Sequence, residues 1–137
     1  MFRNYAKNCP KFCVLRSTKV TDVVQPKPEI SFDTFEKMDI RVGTILEVVD
    51  VPNSKKLVQL KVDLGFAIRN VVVGMKQERE EQREIEGHQA LFIVNLPPRK
   101  MAGILSEAML FDIGYSDDIV PVLAVPERKV PAGTRAG

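Results

Sequence analysis

A chain of 137 residues, 45% apolar and 28% charged, has the size and balance of one globular domain. No apolar run approaches the ~20 residues that cross a bilayer, which argues against a membrane-spanning helix. The formal net charge is only +2, which argues against a basic surface throughout, so contact with a polyanion has to come from a local patch.

The charge is unevenly distributed. Arg3, Lys7, Lys11, Arg16 and Lys19 precede the first acid, Asp22, and the other 15 Lys and Arg face all 18 Asp and Glu. Residues 1–29 end in Gln25-Pro26-Lys27-Pro28, an extended linker, and are expected to be a basic flexible extension ahead of a folded domain at 30–137. This stretch has no apolar h-region with a small-residue cleavage site, so it does not read as a secretory signal. Its cationic, acid-free start fits a mitochondrial transit peptide, and equally a disordered tail or a start assigned too far upstream. Near a site for a polyanion, its cations would add non-specific affinity. Cys9 and Cys13, the only cysteines, lack a second pair or a nearby His and are too few for a zinc site. They read as plain thiols in a reducing compartment, which gives the cytoplasm, or the mitochondrial matrix if the start is a transit peptide.

In chain order, Ser31-Phe32-Asp33-Thr34-Phe35-Glu36 can cap one turn of helix. Ile40–Val49 reads as a strand with Ile40, Val42, Thr44, Leu46 and Val48 on one face, and Gly43 within it suggests a bulge or bend. Residues 50–54 form a turn. Leu57–Leu64 alternates, with Val58, Leu60, Val62 and Leu64 inward. Gly65 turns the chain into a third strand containing Arg69–Val73, which Gly74 ends. Gln77–Glu86 is dense in charge and forms a solvated short helix or loop around its one apolar residue, Ile85. Leu91–Val94 is a buried strand. Asn95–Lys100 has to be a loop because of Pro97 and Pro98, and Ile104–Phe111 is the fifth strand. Ile119–Val125 adds an extra strand, in a tail that can cover an open barrel edge or exchange between two copies. Five short strands, with a short helix between the third and fourth, follow the order of the OB-fold, an all-β, five-stranded Greek-key barrel. Periodicity alone leaves other small barrels open.

Catalytic sets are missing. His88 is the only histidine, so Cys-His, Ser-His-Asp and paired-His constellations have no partner. Neither a P-loop nor a dinucleotide fingerprint occurs. Glu78-Arg79-Glu80-Glu81, with Arg79 and Arg83 interleaved, reads as a solvated face with local ion pairs. The chain is therefore expected not to be an enzyme, and to need neither cofactor nor metal.

The most specific stretch runs from Val94 to Leu110. It combines a proline-stiffened turn, Arg99 and Lys100 for phosphates, and Asn95 and Ser106 for sugar or base edges. Met101 and Met109 also admit a core-filling role. This segment resembles the tRNA-binding domain shared by stand-alone tRNA-binding proteins, the C-terminal part of many methionyl-tRNA synthetases and the endothelial monocyte-activating polypeptide. Its Pro97-Pro98-Arg99-Lys100-Met101-Ala102-Gly103 run is similar to that of CsaA, an export-related chaperone. The resemblance covers about residues 33–137, through Asp39-Ile40-Arg41-Val42-Gly43, Lys55-Lys56-Leu57, Val62-Asp63-Leu64-Gly65, Val73-Gly74 and Pro131-Ala132-Gly133-Thr134-Arg135. It implies an OB-fold, no catalysis, recognition of tRNA by shape, and dimers built through the barrel and its C-terminal extension. By position it assigns Asn95, Arg99, Lys100, Met101, Ser106, Glu107 and Met109 to the signature segment. Lys55 and Lys56 lie on the loop before the second strand, a frequent contact region in this fold, and Arg41 and Lys76 complete the expected RNA-binding set. The chain departs from the usual His-Pro…Ala-Asp-Lys-Leu loop, having Val51-Pro52-Asn53-Ser54-Lys55-Lys56-Leu57, and carries Ala108 where Gly is usual. Both departures bear on the finer RNA contacts.

OB-folds that bind single strands stack bases on aromatics. Here only Phe66 and Tyr115 are expected to be exposed in the body, which favours recognition of backbone and shape. Expected partners are tRNA and a second copy of the chain. Two rival readings remain: a chaperone that holds unfolded polypeptide, which an apolar patch around Leu96, Met101 and Phe111 would favour, and an assembly module for an aminoacyl-tRNA synthetase.

Overall fold

The computed structural model describes residues 24–137. Cys9, Cys13 and the cations up to Lys19 lie outside them, as does most of the expected extension. Ser31 caps α1 (Phe32–Glu36), its hydroxyl accepting the Thr34 amide at 3.2 Å. β1 (Ile40–Asp50), β2 (Val58–Asp63) and β3 (Ile68–Val73) form an antiparallel meander, and β4 (Gln89–Ile93) pairs with the free side of β1. The hairpin β5 (Arg99–Met101) and β6 (Ile104–Ser106) follows, then β7 (Met109–Leu110) on β4. β8 (Asp112–Ile113) pairs with β9 (Val122–Leu123), and β10 (Arg135–Ala136) pairs with β1. A 3-10 turn at Gln82–Ile85 sits between β3 and β4 and buries Ile85. The main sheet runs β3-β2-β1-β4-β7 and curls into a nearly closed, OB-like barrel.

The period-two pattern of β2 places Val58, Leu60, Val62 and Leu64 fully inside, against Ile45, Val71 and Phe92. Burying each such side chain contributes about 1.5–3 kcal/mol. β1 departs from strict alternation. The register with β2 shifts between Ile45 and Glu47, so Ile45 is buried and Leu46, expected inward, faces solvent. The extra residue of a bulge reverses which parity faces the core. Gly43 answers a different need: a Cβ there would lie 2.5 Å from Val62 Cγ1 and 2.8 Å from Phe92 Cδ2.

β1 is shared between partners. Its second half pairs with β2, and where β2 ends, the C-terminal segment takes over. Val42 N donates to Thr134 O, and Gly133 N donates to Val42 O. The Gln89 amide holds the same segment from the other side, donating to Val130 O at 2.6 Å and accepting the Val130 amide at 3.0 Å. In this chain, then, the tail covers its own barrel's edge.

Two boundaries differ from expectation. Arg99 and Lys100 lie in β5, since the hairpin satisfies the backbone that the two prolines before it cannot. The expected single strand at Ile104–Phe111 is broken at Glu107–Ala108 into β6 and β7, because the chain passes there from the hairpin to the barrel wall.

Candidate nucleic-acid interface

The β5–β6 hairpin turns through Ala102 and Gly103, both at positive φ (48° and 80°), the geometry of a tight two-residue hairpin turn. Arg99 stands opposite Ser106, and Lys100 opposite Leu105. Both cations are exposed and form no ion pair among the described residues. The arm is fixed at its base. Ser106, buried, accepts the Val72 amide at 3.0 Å and donates to Ala108 O at 3.1 Å. Glu107 accepts the Asn70 amide through its carboxylate, and its own amide donates to Asn70 O. These bonds bring β3 to the segment between β6 and β7. Asn95 bridges the start of the arm to the start of β1, accepting the Asp39 amide at 2.9 Å and donating to Lys37 O at 2.6 Å.

Lys55 and Lys56 are exposed on the β1–β2 loop. Lys76 shapes that loop from below, its ammonium donating to Val51 O and Ser54 O and pairing with Asp50. The Ser54 hydroxyl accepts the Leu57 amide at 3.1 Å. Of the expected set, Lys76 is thus committed to the scaffold, while its neighbours face outward.

Arg41 belongs to a second cluster. Its Nε and Nη2 grip the Asp39 carboxylate at 2.8 and 3.1 Å. That bond, together with the positive charges of Arg41, Arg135 and Arg69, holds the Asp39 carboxyl below the usual carboxylate range despite partial burial. Arg135 stands opposite Arg41 in the β10–β1 register. Arg69 donates through Nη1 to Val94 O and Glu107 O. Both guanidiniums pack against the Phe66 ring, with Arg41 Cζ at 5.0 Å and Arg69 Cζ at 4.9 Å from its centroid.

The family model described as "Putative tRNA binding domain" matches residues 40–135. The chain belongs to this family. Among curated relatives, methionine–tRNA ligase of Parabacteroides distasonis is 43% identical over 79% of this chain and 16% of its own length. That of Thermococcus kodakarensis is 41% identical over 77% of this chain and 14% of its own length. The chain thus spans about a sixth of these relatives. Among solved structures, a MetRS-related protein from Pyrococcus horikoshii superposes with a TM-score of 0.74 at 31% identity, covering 81% of this chain and 100% of that one. The CsaA chaperone of Bacillus anthracis gives 0.69 at 25%, over 80% of this chain and 100% of its own.

Within this tRNA-binding domain the expected residues fall into separate groups. Arg99, Met101, Ser106 and Met109 line one cleft of about 320 Å³. Met101 also lines an adjoining cleft of about 650 Å³, which reaches Lys56. Met109, for which core filling was one reading, is 47% exposed. Arg41 and Asn95 are joined instead through Asp39, which bonds to both. The grouping of Arg69, Arg135 and Phe66 was not visible in the sequence, because its members come from β3, β10 and the β2–β3 turn and share no local pattern. Phe66 alone was singled out there, as an aromatic expected to be exposed, and half of it does face solvent.

Proposed function

We propose that this chain is a non-catalytic tRNA-binding module that works as a homodimer and recognises folded RNA by shape. The observation that carries this reading is the stiff β5–β6 arm. It offers Arg99 and Lys100, neither of them neutralised by a described acid, on a domain of the tRNA-binding family. Phosphates are the natural partners for such cations, and they position an RNA without reading its sequence. The dimer is supported by the exposed apolar residues of the C-terminal extension, Ile113, Ile119, Val120, Val122 and Val125, which association would bury. Two barrels related by a twofold axis would double the phosphate contacts and set a fixed spacing. Because its relatives carry this domain within methionine–tRNA ligases, an aminoacyl-tRNA synthetase is a fitting further partner. A titration with unfractionated tRNA at low ionic strength, with the mass of the complex measured by light scattering, tests the reading. A complex with two protomers is expected, and no binding at all refutes it.

A second reading, a chaperone for unfolded polypeptide, is favoured by Leu96, Leu105 and Met109, all about half exposed around the hairpin, and by likeness to CsaA. Competition between tRNA and a permanently unfolded polypeptide distinguishes one shared site from two.

A further inference from the structure

We propose that Phe66, flanked by Arg41 and Arg69, is a stacking platform for one unpaired base of the bound RNA. The inference rests on the reading of the chain as a tRNA binder and deepens it: the RNA is selected by shape and also by an accessible, unstacked base. Phe66 leaves 50% of its surface in solvent although two guanidinium groups stand within 5.0 Å of its centroid. A large apolar ring left half exposed beside two held cations is costly in water and useful to a base, which has a π-face and a phosphate on each side.

The platform is built rigidly. Phe66 sits at the tip of the β2–β3 turn, closed by Leu64 N donating to Ala67 O at 3.0 Å. The preceding Gly65 has φ +79°, its amide donates to Asp63 Oδ1, and a Cβ on it would lie 2.3 Å from Ala132 O. The turn is therefore clamped between its own strand ends and the C-terminal segment.

The arginines are held and still have donors to spare. A guanidinium carries five N–H groups. Arg69 engages its Nη1 with two carbonyls, leaving Nε and Nη2 without a hydrogen-bond partner among the described residues. Arg41 spends Nε and one Nη2 hydrogen on Asp39, leaving Nη1. Arg41, Arg69 and Arg135 stand near Asp39, Asp63 and Glu107, so the patch is balanced in net charge and its cations act through their free guanidinium donors. A base against the exposed part of the ring would therefore find phosphate donors beside it, at little ordering cost.

Fluorescence titration of unfractionated tRNA with the full chain and two variants tests this. Phe66→Leu is expected to weaken binding about 5- to 100-fold, the range for one lost base–aromatic stack. The slope of log Kd against log salt should stay unchanged, because no charge is removed. Phe66→Tyr, which keeps the ring, should restore affinity to within about twofold of the original. Photocrosslinking of the unaltered chain to tRNA containing 4-thiouridine provides a readout independent of the variants' folding, with an adduct expected in the 64–69 segment. Unchanged affinity in Phe66→Leu, a loss that Phe66→Tyr fails to rescue, or adducts confined to the β5–β6 hairpin overturns the platform. If the unaltered chain binds no tRNA, the proposed function falls with it; if it binds and Phe66→Leu is silent, only the platform falls.

Discussion

Asn70 and Glu107 exchange two hydrogen bonds: the Glu107 amide donates to Asn70 O at 2.9 Å, and the Asn70 amide donates to the Glu107 carboxylate at 3.0 Å. A side chain thus supplies the second half of a strand pair where the chain between β6 and β7 is too irregular for a regular ladder. It is this seam, with Ser106 beside it, that brings β3 against the signature segment and nearly closes the barrel.

Breaking the seam should loosen the site and the fold together. Glu107→Ala strands the Asn70 amide and Ser106→Ala strands the Val72 amide, each costing about 1–3 kcal/mol. Glu107→Gln, which keeps an acceptor, should recover most of the loss. Urea denaturation of the three variants checks the order. Equal stability of Glu107→Ala and the unaltered chain would refute the seam.

Glycine positions give a graded series. Gly65→Ala meets both a positive φ and the Ala132 carbonyl, and Gly43→Ala meets Val62 and Phe92. Each should destabilise by about 1–3 kcal/mol. Gly74→Ala, with nothing within 4 Å, should stay within about 0.5 kcal/mol. Thermal melting of the three side by side provides its own control.

The double variant Arg99→Ala with Lys100→Ala should weaken tRNA binding and flatten its salt dependence by about one to two units of slope. Stability should barely change, because neither side chain is buried or paired. Gel-shift titrations at several salt concentrations measure it. An unaltered slope would remove the β5–β6 arm from the interface.

The Asp39–Arg41 bond gives stability a pH signature. The folded state holds this carboxyl below its usual range, so the unfolded chain binds the proton more readily. The contribution is therefore complete above the unfolded value and is lost as pH falls through the folded one. The stability difference between the unaltered chain and Asp39→Asn should accordingly be constant near neutrality, shrink on acidification below the usual carboxylate range, and vanish once Asp39 is protonated. A difference that persists in strong acid would show that the substituted amide acts through packing instead.

Local chemistry made much of this protein legible in the sequence. The alternation of Val58, Leu60, Val62 and Leu64 set the inward face of β2, Ser31 and Thr34 set the helix cap, and Gly65 and Gly74 bounded β3. The run Pro97–Gly103 pointed to the family, because stiff prolines, adjacent cations and a positive-φ turn are all short-range features. Tertiary structure decided the rest. Leu46 turned outward because a bulge against β2 shifted the parity of β1, which depends on a partner strand far along the chain. Ser106, Asn95 and Lys76 look like ligand-facing polar groups in sequence, but their hydrogen bonds go to backbone groups that only folding brings near. Likewise Phe66, Arg41, Arg69 and Arg135 come from separate elements, so their charge and exposure became a single surface only when the barrel curled and the C-terminal segment laid β10 along β1.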